Sequence, residues 1–340
     1  MNNPPTVTRR QFVKTTSNAL TLGAALSAFP SLSVRGANEK LRLGFIGVGG
    51  RGSYHVKEFS EMDDVSIVAA ADPAQAKLDK VKAAFPNAKV FQDFHALLDL
   101  KDVDAVVIAT ADHWHAIPTI LACQGGKDVY VEKPLGHNIR EGRAMVQAAR
   151  KYNRVVQLGT QQRSGPHWIE AVERIRSGDL GKVSLVRTWN CWDLKSIHAD
   201  MGNPPDCEPP PGLNYDLWLG PAPKRPFNPR HTDFYFYYFN GNGYTFFPES
   251  DRANPKNVPS QGMEVQHKRN WIDCIRSRKR PNSDVELGHL GCLPGHLGNI
   301  AYRVGRRIAW DGEKETIPGD PQAEALLGRS YRAPYLLPKV

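Results

Sequence analysis

The turn Gly47-Val-Gly-Gly-Arg-Gly52 constrains this chain more than any other feature, because of what stands on either side of it. Before it runs the apolar stretch Leu41–Ile46. After it come a segment of helical periodicity, Tyr54–Met62, and a second apolar run, Val65–Ala70, leading to Asp72, twenty residues past Gly52. A Gly-x-Gly-x-x-Gly alone is a weak signal. Between a strand and a helix, with an acid at the end of the next strand, each residue has a physical task. Gly47 permits the tight turn, Gly49 lets the backbone approach a pyrophosphate, and Gly52 lets the helix pack close to the strand. The N–H groups at the helix start face the phosphates. Asp72 can accept hydrogen bonds from the adenine ribose, which points to NAD. Arg51 could pair with a 2′-phosphate, which keeps NADP open. The alternative is a glycine-rich turn that serves packing alone.

The pattern continues to about Gln161. Further apolar runs at Ala105–Ala109, Val129–Glu132 and Val155–Leu158 alternate with helical stretches at Gln75–Phe85, His115–Cys123 and Arg140–Tyr152. Short apolar strands separated by helices imply a parallel sheet covered on both faces, a doubly wound α/β architecture of the Rossmann kind. Ligands of such sheets lie beyond the carboxyl ends of the strands. Two of those ends carry polar residues, Ala109-Thr-Ala-Asp-His-Trp-His115 and Val131-Glu-Lys-Pro-Leu-Gly136. Lys133 would project toward the nicotinamide half of the site and donate a hydrogen bond to a substrate hydroxyl. Crowding there could lower its pKa enough for proton transfer. The competing reading is a surface lysine before the turn-forming Pro134. His113 and His115 flank Trp114, but a lone His-x-His is a poor metal site, and contacts to ribose or nicotinamide explain them better. No metal is expected.

Net charge would ordinarily raise the question of nucleic acid. The 340 residues carry +9, but Arg9, Arg10, Lys14 and Arg35 stand in residues 1–38 without an acid, and removing them leaves +5. The clearest remaining run, Arg276, Arg278, Lys279 and Arg280, falls near the end of an expected helix, where cations complement the helix dipole. No nucleic-acid partner is expected. The stretch Thr8-Arg-Arg-Gln-Phe-Val-Lys14 precedes an apolar run, Ala19 to Phe29, shorter than the roughly 20 residues a membrane-spanning helix needs. Residues 1–37 therefore read as a signal peptide, and the paired arginines resemble a twin-arginine export signal. The expected location is exported and periplasmic, or membrane-tethered if the signal stays uncleaved. The five cysteines are scattered, without Cys-x-x-Cys, so neither a zinc site nor a disulfide framework is indicated.

At this point the chain resembles the Gfo/Idh/MocA oxidoreductases, of which glucose–fructose oxidoreductase is one kind. The motifs are "GFIGVGGRG" at 44–52, "AAADP" at 69–73, "ATADHWHA" at 109–116, "VEKPLG" at 131–136, "QLGTQQRSGPHW" at 157–168, "DLWLGPAP" at 216–223 and "HLGNIAYRVGRRIAWD" at 296–311. The resemblance implies a Rossmann domain over 38–163 and a second α/β domain over 164–340, with a mixed open sheet that covers the nicotinamide and often mediates homo-oligomerisation. It implies NAD or NADP as cofactor and a sugar or polyol as substrate. Carried over by position, Gly47, Gly49, Gly50, Arg51 and Asp72 hold the adenosine and phosphates. Thr110 and His115 lie along the cofactor, Glu132 and Lys133 stand near nicotinamide and substrate, and Gln161 and Arg163 line the cleft.

In the second half, Trp168–Ile175, Met263–Arg276 and Leu297–Arg307 read as helices and Val183–Trp189 as a strand. Asn203 to Pro226 reads as an ordered loop, because Leu217, Trp218 and Leu219 need burial. The run "RHTDFYFYYFNGNGYTFF" at 230–247 looks locally like a hairpin, with aromatic strands around an Asn-Gly turn. Against the family pattern it reads instead as a seam. An expected Asp-x-x-x-His segment and most of the open sheet are missing between Phe236 and Tyr237, so the second domain is shortened there. His198, His231 and His289 remain as candidate acid/base groups, and His231 with Asp233 is preferred for its place just before the seam. Three functional readings follow: a sugar or polyol dehydrogenase, a glycoside hydrolase of the family 109 type that borrows NAD, and a dinucleotide-binding protein with impaired catalysis.

Overall fold

Six parallel strands form the central sheet, in the order β3-β2-β1-β4-β5-β6. A computed structural model describes residues 40–178, 181–183, 205–229, 243–246, 256–259 and 262–340. The strands are β1 (Leu41–Ile46), β2 (Val65–Ala71), β3 (Lys89–Phe91), β4 (Ala105–Ile108), β5 (Asp128–Glu132) and β6 (Val156–Gly159). Between them run α1 (Gly50–Ser60), α2 (Gln75–Ala84), α3 (Phe94–Leu98), α4 (Ala116–Gln124) and α5 (Ile139–Lys151). The central strands β4 and β5 are buried at every residue. That follows from helices on both faces, and explains why β4 and the middle of β5, Val129 to Val131, are apolar without alternation. β3 and α3 escape sequence reading because a three-residue strand and a one-turn helix carry too little periodicity.

Two apolar layers sandwich the sheet. On one face α3, α4 and α5 pack through Leu97, Ile117, Ile120, Met145 and Val146. On the other, α1 and α2 bring Val56, Phe59, Leu78 and Val81. That second layer is completed from far along the chain. The helix α8 (Glu264–Ser277), which follows α6 (Pro166–Ser177) and α7 (Tyr215–Leu219), inserts Trp271, Ile272, Cys274 and Ile275 beside Phe59 and Tyr130. The basic run at its end anchors it: Arg276 pairs with Asp64 at 2.6 Å and Arg278 with Asp128 at 2.7 Å. Helix α8 thus shares a core with residues 40–163.

After α8 the chain covers the free edge of the sheet. Leu158 N donates to Ser283 O at 2.9 Å, and Gln157 forms an antiparallel bridge with Asp284. This contact occupies an edge that would otherwise stay open for pairing. Asp284 then caps α9 (Val285–Val304) by accepting from Glu286 N. The sequence predicts this helix only over 297–307. Three glycines and Pro294 lower its propensity upstream, but packing overrides propensity. A Cβ on Gly288 would stand 2.9 Å from Leu158 Cδ2, so this residue lets α9 lie close to the sheet. A last short helix, α10 (Pro321–Ala325), closes a small satellite cluster of Ile139, Leu293, Ile300, Ile317 and Leu327.

The strand β7 (Gly243–Phe246) pairs antiparallel with β8 (Lys256–Pro259) further on. The aromatic run Phe234–Phe239, His198, His231, Asp233, Cys191, most of Val183–Trp189 and the signal segment 1–37 lie outside the described residues. The region around Leu217 is ordered, as its apolar content requires. Leu217 and Leu219 are buried, and Asn214 caps α7 by accepting from Leu217 N.

Candidate functional site

Because all six strands are parallel, their carboxyl ends meet along one edge, and the sequence-predicted residues gather there. Gly47 has φ of +83°, and a Cβ there would meet the Ala109 carbonyl. Gly52 lies so close to the Gly47 carbonyl oxygen that any side chain would overlap it. Gly50, with open space where a Cβ would stand, begins α1. The tight turn and the close helix packing expected of this motif are therefore both present.

A cavity of about 590 Å³ opens beside the turn, bordered by Gly47, Gly49, Asp72, Thr110, Trp114 and Trp218 among others. Asp72 is buried, with one carboxylate oxygen accepting from Val48 N at 2.9 Å and the other from Ala74 N at 3.0 Å. The carboxylate thus fastens the glycine turn to the end of β2. The Thr110 hydroxyl is buried without a hydrogen-bond partner. An unpaired buried hydroxyl beside a glycine-lined cavity fits a polar ligand, since leaving it unmet costs about 1–3 kcal/mol. The donor set fits a dinucleotide: side-chain-free turn, helix start, acid at the ribose end.

Lys77, which sequence reading missed, is the cation at that ribose end. Its Nζ stands 3.9 Å from Asp72 and 3.1 Å from where a Gly49 Cβ would be. The signal was available as a basic residue in the first turn of α2, five positions after Asp72. Arg51 does not play the part expected of it. Its Nε donates to Glu132 at 3.0 Å and its NH2 to both Glu264 oxygens at 2.9 Å. Its guanidinium is taken up by the carboxylates at the end of β5 and the start of α8, while Lys77 is the cation that pairs with Asp72.

Glu132 is the centre of a buried polar cluster. Oε1 accepts from Arg51, from His55 Nε2 at 2.8 Å and from Gln161 Nε2 at 3.1 Å, while Oε2 accepts from Lys133 N at 3.1 Å. Burial would raise its pKa, but the His55 hydrogen bond and the Arg51 charge outweigh it and hold the carboxyl down to about 2. Burial pushes His55 down to about 4 against the pull of Glu132, so the ring is neutral and donates. Glu264 is raised by burial, opposed by Arg51. Lys268, fully buried on α8, sits against Glu58 and over the Tyr54 ring. None of His55, Glu264 or Lys268 carries a sequence signal, because their partners are 77 to more than 200 positions away.

The remaining expected residues divide. Lys133 is half-buried at the end of β5, next to this anionic cluster. Gln161 is buried and also donates to the Tyr130 hydroxyl at 2.9 Å, whereas Arg163 is exposed. His115 is buried with its ring between two carbonyls, Pro134 O at 2.6 Å and Thr110 O at 3.2 Å. It links the two strand-end loops and is not itself among the residues that line the cavity. His113 faces the Trp218 carbonyl at 3.0 Å, and burial lowers it to about 4. Trp114 donates to the Leu217 and Trp218 carbonyls, each at 3.1 Å. These two residues thus hold α7 over the cavity. His289 pairs with Glu315 at 2.8 Å behind α5, remote from the cavity. Among the described residues no three His, Cys, Asp or Glu side chains gather as metal ligands, and no helix is long and apolar enough to cross a membrane.

Fold and site together define a dinucleotide-binding α/β protein. Residues 41–160 match the family described as "Oxidoreductase family, NAD-binding Rossmann fold", the model of the Gfo/Idh/MocA oxidoreductases. The chain is 28% identical over 167 residues to scyllo-inositol 2-dehydrogenase (NAD(+)) of Bacillus subtilis, covering 49% of this chain and 46% of that protein. It is 30% identical over 226 residues to a glycosyl hydrolase family 109 protein of Shewanella baltica, covering 57% of this chain and 49% of that one. A crystal structure of scyllo-inositol dehydrogenase from Lactobacillus casei with NAD(H) and scyllo-inositol aligns over 43% of this chain and 44% of its own. Its identity is 26% and the TM-score 0.41. The chain spans just under half the length of the curated relatives it matches.

Proposed function

We propose that this chain is an NAD(P)-dependent oxidoreductase acting on a sugar or polyol. The observation that supports the reading is Lys133, directly after β5 on the carboxyl edge of the sheet that also carries the glycine turn, with its own N–H held by the anionic Glu132. The nicotinamide, when bound, supplies the hydride acceptor or donor. The glycine turn and the start of α1 hold the phosphates, Asp72 takes the ribose, and the Thr110 hydroxyl takes a polar group of the cofactor. Lys133 orients and polarises the reacting substrate oxygen, and a base removes or returns its proton. His231 and Asp233 remain the proposed acid/base pair, outside the described residues. Export through the twin-arginine machinery, a periplasmic location with the cofactor retained, and homo-oligomerisation belong to the same proposal.

The relatives in glycosyl hydrolase family 109 favour a second reading, in which sugar is released from a glycoside with no net cofactor turnover. Purified protein is assayed for bound nicotinamide and then mixed with a panel of sugars, inositols and aryl glycosides. Reduced cofactor supports the dehydrogenase, and released aryl alcohol without it supports the hydrolase. Tight cofactor binding with neither product leaves a dinucleotide-binding protein with impaired catalysis. Lys133→Ala is the control, and unchanged turnover removes it from the mechanism.

A further inference from the structure

A second cavity, of about 480 Å³, shares no lining residue with the dinucleotide cavity. Three elements converge on it. The face of α9 presents His296, Asn299 and Arg303, at positions i, i+3 and i+7 of one helical stripe. The residue before the α5 cap contributes His137, and the segment after α10 contributes Arg329. The floor is apolar, from Ile139 and Ile300 of the satellite cluster.

The chemistry of this lining is one-sided. It holds two guanidinium groups, two imidazoles and amide groups, and no carboxylate. The nearest acid, Glu141, is fully buried and already accepts from Arg329 Nε at 2.9 Å, Tyr331 Oη at 2.7 Å and His137 N at 2.8 Å. Arg303 has no ion-pair partner among the described residues, although most arginines around it do. Burial, reinforced for His137 by the arginine charges, lowers the pKa of both His137 and His296. The uncompensated fixed charge of the cavity therefore comes from Arg303, since Arg329 is paired with Glu141, and His137 and the amide groups supply the neutral donors, the His296 N–H being spent on the Gly136 carbonyl. His296 also bonds to the Gly136 carbonyl, three residues past Lys133, so the cavity wall continues into the loop that carries the lysine.

We propose that this cavity binds a small oxyanion, the phosphate or carboxylate group of a sugar-sized molecule, with Arg303 as its principal charge partner. Such a group meets the forked geometry of the Arg303 guanidinium and a lining without carboxylates, where a neutral sugar gains no charge pairing. The site is independent of the dehydrogenase reading, and its test uses no turnover. The purified chain is titrated calorimetrically at low ionic strength with inorganic phosphate, D-glucuronate and D-glucose. Saturable binding of phosphate or glucuronate is expected, with glucose silent. The stronger of the two anions identifies the group. Arg303→Ala should weaken that binding by about tenfold or more, the loss of one charge-assisted hydrogen bond. NAD affinity and circular dichroism should not change, because Arg303 is exposed and outside the dinucleotide cavity. Asn299→Asp, which adds an acid to the lining, should cause a similar loss. The proposal is overturned if neither anion saturates, if glucose binds as tightly as glucuronate, or if both variants bind like the parent.

Discussion

Arg51 Nε lies 3.0 Å from Glu132 Oε1, so a single ion pair ties the glycine turn after β1 to the end of β5. Glu264 of α8 holds the other side of the same guanidinium at 2.9 Å. Cofactor loop, lysine-bearing strand end and the late helix are therefore one electrostatic unit. Arg51 is 37% exposed and keeps Glu264, so removing Glu132 chiefly strands the buried His55 donor, at about 1–3 kcal/mol. Glu132→Ala should destabilise the chain by about that much in urea unfolding. Loss under 1 kcal/mol would show that the cluster is not structurally coupled.

Two glycines of the same turn should respond in opposite ways. Gly52→Ala drives a methyl into the Gly47 carbonyl, so a loss of about 3 kcal/mol or more is expected. Gly50→Ala meets nothing within 4 Å and sits in α1, so it should be neutral or stabilise by up to about 1 kcal/mol. Chemical denaturation of both variants checks the pair. Weaker NAD binding by a stable Gly50→Ala would assign that position to the phosphates.

Thr110→Val separates stability from binding. The hydroxyl is buried without a partner, so replacing it by a methyl should leave the ligand-free protein unchanged or raise its stability by roughly 1 kcal/mol. NAD affinity should fall by about tenfold. Equal affinity for the variant would remove this hydroxyl from the cofactor site.

Acid should weaken the fold in two stages. His55 and His267 are fully buried, and burial lowers both to about 4. The unfolded chain takes up these protons near pH 6.5 and the folded chain does not, so stability is full above 6.5 and falls toward pH 4. Each group contributes a slope of about 1.4 kcal/mol per pH unit in that window. Glu132, depressed to about 2, acts below it. Its contribution is present above pH 4.5 and is lost as pH falls toward 2. Melting temperatures from pH 7.5 to 4 test the first stage, and a flat profile would contradict it. His55→Phe, which cannot titrate, should reduce the slope.

The glycine turn, the alternating strands and Asp72 were legible because their signals are local: each residue's task is set by neighbours within one βα unit. The same locality explains Lys133, whose strand end follows from the run before it. Arg51 shows where such reading stops. Its sequence position puts it at the phosphate turn, but the direction of its side chain depends on Glu132 and Glu264, 81 and 213 positions away. His115 likewise was placed at the right strand end, while its burial between two carbonyls follows from how two loops close over it.

By itself, then, the sequence determined the parallel sheet, the strand ends that form the site and the dinucleotide turn, since apolar period and glycine sterics act over a few residues. Only the tertiary structure decided that α8 completes the core and supplies Glu264, that Lys77 rather than Arg51 faces the ribose end, and that α7 roofs the cavity through His113 and Trp114. Those outcomes depend on the packing of segments far apart in the chain, where burial makes each polar group take whichever partner the fold brings near.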